Sequence, residues 1–103
     1  MNIKYRKTRD SFTVYVDGEL DEFSASKAKD ILDKLLLDNI NSNKVIFDLS
    51  GLSFMDSTGI GVLIGRYKLA KSMGCTCAVK NVSRVVDKIF VMSGLYQIMP
   101  KIS

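Results

Sequence analysis

The residues best suited to chemistry lie together in residues 54–61, where Asp56, Ser57 and Thr58 follow one another. Apolar residues at helical spacing come after them, so we expect Asp56 to cap a helix that begins at about Ser57. The start of a helix leaves backbone N–H groups unpaired and carries a partial positive charge. The segment therefore has two interpretations. Its polar residues only cap the helix, or Ser57 or Thr58 presents a hydroxyl in the first turn, where the free N–H groups stabilise a phosphate.

Three glycines, Gly59, Gly61 and Gly65, fall inside the same predicted helix. Each costs on the order of 1 kcal/mol of helix stability relative to alanine, so a purely structural helix has little reason to carry three. They permit either close packing of the helix on a sheet or close approach of another molecule's backbone, and the sequence does not separate the two. Their spacing matches neither the dinucleotide-binding fingerprint nor the phosphate-binding P-loop.

A second group of polar residues, Asp21 and Ser24, follows the second predicted strand. If that strand lies beside the strand that ends at Leu49, Asp21 shares a sheet edge with Ser57. A carboxylate at this place repels a phosphate and attracts a partner's cation. The alternative interpretation is that Asp21 or Ser24 caps the first helix.

Composition excludes several classes of function. The chain has no histidine, which removes Ser-His-Asp and Cys-His catalysis and the metal sites that use imidazole. Its two cysteines, Cys75 and Cys77, are too few for a zinc site, and we expect them to be reduced thiols in or near the core. We therefore expect no catalytic residues, no metal, no cofactor and a protein that is not an enzyme.

Size, charge and hydropathy predict a single cytoplasmic domain over residues 1–103, with 47% apolar and 25% charged residues. The net charge of +4 is spread along the chain, without the basic block of a nucleic-acid-binding arm. Apolar runs fall short of the ~20 residues that span a bilayer, and the first residues form no apolar signal core. We expect neither a nucleic-acid nor a membrane partner.

The apolar pattern predicts elements in the order β-β-α-β-α-β-α, an α/β fold with a small mixed β-sheet and helices mainly on one face. Two alternating strands come first, from Ile3 and from Phe12, and the second is interrupted at Gly18. Residues 45–49 are mostly apolar and predict a strand buried on both faces. Residues 50–56 predict a loop.

Apolar residues at helical spacing predict three helices. The first gives way to a polar loop over residues 39–43, and the second spans about residues 57–73. The residues of the second helix expected to face water are Arg66, Lys68, Lys71 and Ser72. The third helix begins near Ser83 and ends at Gly94. Its expected buried residues are Val85, Val86, Ile89 and Phe90.

Three stretches of the sequence resemble the STAS domain family, and within it the bacterial anti-sigma factor antagonists. They are Gly-Glu-Leu-Asp over residues 18–21, DLSGLSFMDSTGIGVLIGRYK over residues 48–68, and Met-Ser-Gly-Leu over residues 92–95. The resemblance covers nearly the whole chain, and its long middle stretch is the specific one. The chain looks most like the sporulation-type antagonists of the anti-sigma-F kinase, with the sigma-B type as a near relative.

The resemblance implies a phosphorylation switch. Antagonists of this family bind an anti-sigma factor that is also a serine kinase, and so release a sigma factor. The kinase, using its own Mg-ATP, ends the binding by phosphorylating the serine after a Met-Asp pair, which is Ser57 here, with Thr58 as the alternative. A PP2C-type phosphatase is the second implied partner. The implied partner-binding residues are Asp21, Ser24, Asp56, Ser57, Thr58, Gly59 and Gly61. The alternative function is binding of a nucleotide or small anion at the Ser57 helix start.

Overall fold

The computed structural model describes residues 1–39 and 43–102, and the predicted α/β class with a mixed sheet is confirmed within them. In chain order the elements are β1 (Asn2–Lys7), β2 (Phe12–Leu20), α1 (Ala25–Asn39), β3 (Lys44–Asp48), β4 (Leu52–Met55), α2 (Ser57–Ser72), β5 (Thr76–Lys80), α3 (Arg84–Ser93), a 3₁₀ turn (Leu95–Gln97) and β6 (Lys101–Ile102). The predicted order is right for the three helices and four of the strands, but it lacks β4, the 3₁₀ turn and β6.

Strand β2 organises the sheet because three strands pair with it. Strand β1 runs antiparallel along one edge, while β3 pairs in parallel with the first half of β2 and β4 pairs in parallel with its second half. Beyond β3 the sheet continues in parallel through β5 to β6. The register shifts between Gly18 and Glu19, and Gly18 has a φ of 99°, which favours glycine. Strand β2 therefore continues through the predicted interruption and ends at Leu20.

The core lies between one face of the sheet and the helices α1 and α2. Along β2, Phe12, Val14 and Val16 are fully buried, whereas Thr13 and Tyr15 between them are partly exposed. The helical residues that pack in the same cluster include Ala28, Leu32, Leu36, Leu63 and Ala70. Burial of this apolar surface is the main force that holds the helices on the sheet. The opposite face of the sheet is only partly covered.

The predicted loop over residues 50–56 contains a strand, so that expectation is wrong. Strand β4 buries Leu52 and Met55 at its two ends and exposes Ser53 and Phe54 between them. Four residues with this pattern show no period of two, and the strand forms because the second half of β2 is available to pair with it. Strand β4 leads the chain directly into α2.

Three expectations about burial are also wrong. Arg66, expected to face water, is 7% exposed because it lies between α2 and α1, with its Nε 2.9 Å from Asp33 Oδ1. Val85, expected in the core, is 58% exposed because only one side of α3 packs on the molecule. Ile46 of β3 is only partly buried, since the helices cover mainly the other face of the sheet.

The ends of the helices follow their capping residues. Ser83 caps the start of α3, and Gly94, with a φ of 76°, ends it as predicted. The predicted polar loop over residues 39–43 is wrong at Asn39, which still belongs to α1. Residues 40–42 of that loop lie outside the described residues. Among the residues that the structure describes, no helix combines the length and hydropathy needed to cross a membrane.

Candidate functional site

Two strand ends meet at the candidate site. Strand β2 ends at Leu20 and β4 ends at Met55, and these two residues are partners in the parallel register. The Asp56 N–H donates to the Leu20 carbonyl at 3.4 Å, so the chain leaves both strands at the same end of the sheet. Asp21 and Ser57 therefore lie together at that end of the sheet. The sequence predicted this arrangement on the condition that β2 lies beside β3, and the two strands do pair.

Asp56 is the N-cap of α2. Its Oδ1 accepts a hydrogen bond from the Gly59 N–H at 3.0 Å, and its Oδ2 accepts one from the Glu22 N–H at 3.0 Å. The first bond is local, whereas the second fastens the turn after β2 to the start of α2. The Gly59 N–H, and after it the Glu22 N–H, hold the pKa of the Asp56 carboxyl below its ordinary value.

In the turn between β2 and α1, the side chains of Asp21 and Ser24 each accept a hydrogen bond from the other residue's backbone N–H. Asp21 Oδ1 accepts hydrogen bonds from the N–H groups of Phe23 and Ser24 at 3.0 and 3.1 Å, and Ser24 Oγ accepts one from the Asp21 N–H at 3.0 Å. These bonds match the capping role that the sequence offered as the alternative. Both residues stay partly exposed, so the turn also presents their polar atoms at the same end of the sheet as Ser57.

Ser57 and Thr58 are the first two residues of α2, and both are exposed. Their hydroxyls lie in the first turn, at the positive end of the helix dipole, and they directly follow the Asp56 carboxylate. An enzyme can reach such a hydroxyl without unfolding the domain. The helix start stabilises a phosphate placed on it.

The three glycines of α2 separate into two kinds. A Cβ on Gly59 would lie 2.2 Å from the Leu20 carbonyl oxygen and 3.0 Å from Met55 Cγ, so close packing on the strand ends requires glycine there. A Cβ on Gly61 or Gly65 would meet no atom within 4 Å. Packing explains the first glycine only. Packing within the domain does not require glycine at the exposed position 61.

An apolar cleft of about 360 Å³ lies beside Ser57, between the start of α2 and α3. Its floor and walls include Ile60, Ile89 and Met92. Met92 is 87% exposed, and Phe23, in the turn that donates to Asp56, is 89% exposed. Apolar side chains exposed around a polar centre are typical of a surface that binds another protein. The sequence analysis did not predict this surface. The apolar Phe23 within a polar turn is the feature of the sequence that indicates it.

The two thiols lie in another part of the molecule, where β5 begins. Cys75 and Cys77 are both buried, as expected. Burial raises the pKa of both thiols, that of Cys77 to about 12 with a contribution from its neighbour Cys75. Across residues 1–39 and 43–102, no cluster of three or more His, Cys, Asp or Glu side chains is placed to hold a metal ion.

The Asp56 cap makes the stability of the domain depend on pH. Because the pKa of Asp56 is lower in the folded state, its carboxylate stabilises the fold above about pH 4, and this contribution is lost as the pH falls through the folded-state pKa. In urea unfolding we expect Asp56→Asn to be less stable than wild type at about pH 7 and to lose less stability on going to about pH 3. The amide still caps the helix but does not titrate. An equal loss in both proteins would contradict the prediction.

Comparison with known proteins matches the family model described as the STAS domain to residues 2–103. The chain is 34% identical over 100 residues to the anti-sigma F factor antagonist of Paenibacillus polymyxa, which covers 97% of this chain and 85% of that protein. It is 28% identical over 99 residues to the anti-sigma-B factor antagonist of Bacillus subtilis, which covers 96% of this chain and 88% of that protein.

Solved structures share the fold. The anti-sigma factor antagonist SpoIIAA in its unphosphorylated form aligns with a TM-score of 0.79 at 25% identity, over 99% of this chain and 89% of that one. An anti-sigma factor antagonist from Mycobacterium paratuberculosis aligns with a TM-score of 0.83 at 19% identity, over 97% of this chain and 83% of that one, and shows the fold alone.

Proposed function

Because the chain belongs to the STAS domain family, we propose that it is an anti-sigma factor antagonist, which binds an anti-sigma factor and so frees a sigma factor. Relatives at 34% and 28% identity carry that name. Proteins of this kind are regulatory binding proteins and not enzymes. The relatives are named for sigma F and for sigma B alike.

The observation that carries the proposed mechanism is the exposed Ser57 at the start of α2, directly after the Asp56 cap. In this proposal Ser57 is the phosphoacceptor, with Thr58 as the alternative. The anti-sigma factor is itself a serine kinase that brings its own Mg-ATP, and a PP2C-type phosphatase reverses the modification. The related SpoIIAA, described in an unphosphorylated form, supports a switch of this kind. The proposed place of action is the cytoplasm, where ATP is available and buried thiols stay reduced.

The phosphate acts on the partner in this mechanism, and the fold persists. A phosphoserine adds roughly −1.5 to −2 charge at pH 7, which the N-terminus of α2 tolerates. The neighbouring Asp56 carboxylate and the Asp21 carboxylate at the same end of the sheet make that surface still more negative. Like-charge repulsion and steric clash then weaken the complex. Coupling of ~1–3 kcal/mol lowers the affinity by a factor of about 5 to 150.

The proposed binding surface combines the exposed polar residues with the apolar cleft. Its polar atoms come from residues that the family resemblance implies and that are exposed or partly exposed, namely Asp21, Ser24, Asp56, Ser57 and Thr58. Gly61 supplies a place where a partner's backbone approaches α2 closely. Gly59 is buried and contributes by setting the position of the helix start. The cleft beside Ser57, with Met92 at its side, adds the apolar area that a stable complex needs.

Mass spectrometry of the intact protein tests the proposal. Wild type, Ser57→Ala and Thr58→Ala are each incubated with Mg-ATP and the anti-sigma kinase from the same genome. We expect wild type and Thr58→Ala to gain one phosphoryl group and Ser57→Ala to gain none. The phosphorylated wild type is then expected to bind the kinase about tenfold or more weakly than the unmodified protein.

Other outcomes separate the parts of the proposal. Gain in Ser57→Ala but not in Thr58→Ala would move the acceptor to Thr58 and keep the switch. Equal kinase binding before and after phosphorylation would refute the switch. Saturable nucleotide binding by the domain alone, without phosphorylation of any variant, would favour the alternative of a nucleotide- or anion-binding helix start.

A further inference from the structure

Helix α3 forms one wall of the apolar cleft beside Ser57, where Ile89 and Met92 are among the lining residues. Of the residues of α3, all of which the structure describes, only Val86 and Phe90 are fully buried. Few apolar side chains therefore hold this helix on the domain. Its position, and with it the shape of the cleft, depends on what else anchors it.

A polar cluster anchors α3. Asp87, in the first turn of the helix, accepts hydrogen bonds at its Oδ1 from the Tyr96 hydroxyl and from Lys101 Nζ, the latter at 2.9 Å. Tyr96 belongs to the 3₁₀ turn and Lys101 to β6, so these three residues, the Asp87 cluster, join α3 to the segment that closes the sheet. The Tyr96 hydroxyl, and after it Lys101, hold the pKa of the Asp87 carboxyl below its ordinary value, so the group is an anion at physiological pH.

The ring of Tyr96 adds packing to this hydrogen bonding. Its centre lies 5.6 Å from the centre of the Phe90 ring at an interplanar angle of 90°, which is an edge-to-face contact. Lys101 Nζ lies 5.4 Å from the centre of the Tyr96 ring. Tyr96 therefore contacts α3 at two residues about one turn apart, Asp87 and Phe90, and two points of attachment restrict rotation and tilt of the helix.

The Asp87 cluster and the cleft lie on different sides of α3. A helix turns about 100° per residue, so Ile89 lies roughly 160° around the axis from Asp87, and Met92 lies roughly 140° from it. Val86 and Phe90 lie between these two sides and face the core. Because a helix moves as a stiff element, a change in its anchoring at Asp87 alters the cleft wall on the other side.

We propose that the Asp87 cluster positions α3 and thereby sets the affinity of the cleft beside Ser57 for an apolar side chain of the anti-sigma factor. This inference rests on the proposed function for the identity of that partner. None of the three residues of the cluster lines the cleft, so they act through α3 as positioning residues. The cluster lets the segment over residues 95–102 influence the binding surface although this segment lies outside it.

Amide chemical shifts of the ¹⁵N-labelled full chain, without a partner, test the positioning of α3. Tyr96→Phe removes the hydroxyl that donates to Asp87 and keeps the ring, so the domain stays folded. We expect shift changes at Met92 and also at Ile60 of α2, which lines the same cleft. Tyr5→Phe makes the same change on an exposed residue of β1 and is expected to leave both amides unchanged. Unchanged shifts of Met92 and Ile60 in Tyr96→Phe would overturn the proposal.

A double-mutant cycle on binding of the anti-sigma kinase tests the effect on affinity. We expect Tyr96→Phe to weaken binding about threefold or more and Tyr5→Phe to have no effect. In a Met92→Ala background, where part of the cleft wall is already removed, the effect of Tyr96→Phe is expected to fall below about twofold. A purely structural role of the hydroxyl would weaken binding equally in both backgrounds, and that result would overturn the proposal.

The failure of this inference is distinguishable from the failure of the proposed function. A wild-type protein that binds no anti-sigma kinase would refute the proposed function, whereas the amide shifts need no partner and still confirm or overturn the positioning of α3. Lys101→Met removes the ammonium group and keeps an apolar chain, and it is expected to shift the same amides of the cleft as Tyr96→Phe. Shifts confined to the neighbours of Lys101 would contradict a role for the cluster as a unit.

Discussion

Replacement of Gly59 by alanine is expected to destabilise the domain by roughly 2–3 kcal/mol, although alanine forms helices better than glycine. The new Cβ would lie 2.2 Å from the Leu20 carbonyl oxygen, which belongs to the backbone of β2 and cannot rotate away. It would also lie 3.0 Å from Met55 Cγ. The start of α2 must therefore move away from both strand ends, which also strains the hydrogen bond between the Glu22 N–H and Asp56.

Gly61→Ala is the matched control, because it makes the same change two residues further along the same helix. Its Cβ meets no atom within 4 Å, so we expect the helix to gain about 0.5–1 kcal/mol. Urea unfolding of the two variants and wild type, followed by circular dichroism, measures both effects. A Gly59→Ala protein as stable as wild type would show that α2 does not pack on the strand ends as described.

Replacement of Asp33 by alanine is the second change with a large expected effect, a loss of roughly 2–3 kcal/mol. Arg66 is buried between α1 and α2, and its Nε lies 2.9 Å from Asp33 Oδ1. Within the described residues, Nε and Nη1 of Arg66 have no hydrogen bond of good geometry, so Asp33 provides the compensating charge. Its removal leaves an uncompensated cation in the interior. The figure lies below the usual cost for a fully buried pair because Asp33 is itself 26% exposed.

Arg66→Met and Asp30→Ala separate charge burial from other causes. Methionine keeps the apolar stem of Arg66 without the charge, so its expected cost is within about 1 kcal/mol. Asp30 is exposed on the same helix as Asp33, and its replacement is expected to change stability by ~0.5 kcal/mol or less. The free energy of unfolding in urea is the measurement for all three variants. A larger loss for Arg66→Met than for Asp33→Ala would contradict the interpretation.

Local sequence predicted much of the candidate site. The Asp56 cap, the helix start at Ser57 and the helix end at Gly94 depend on side chains that hydrogen-bond or turn within a few residues of themselves. The alternating residues of β2 predicted its buried face for the same reason, because a strand turns successive side chains to opposite sides. The helices and the α/β class followed from such patterns.

Tertiary structure alone decided the features that depend on distant partners. Strand β4 forms because the second half of β2 is free to pair with it, and the bond from the Glu22 N–H to Asp56 joins residues 34 positions apart. Arg66 looks like a water-facing residue in sequence and is buried because α1 brings Asp33 to it. Gly59 and Gly61 are equivalent in sequence, and only the position of Leu20 makes one of them indispensable. Short-range hydrogen bonds and side-chain periodicity depend on residues that are close in sequence, so the sequence predicts them. The contacts between distant residues exist only once the strands and helices have packed.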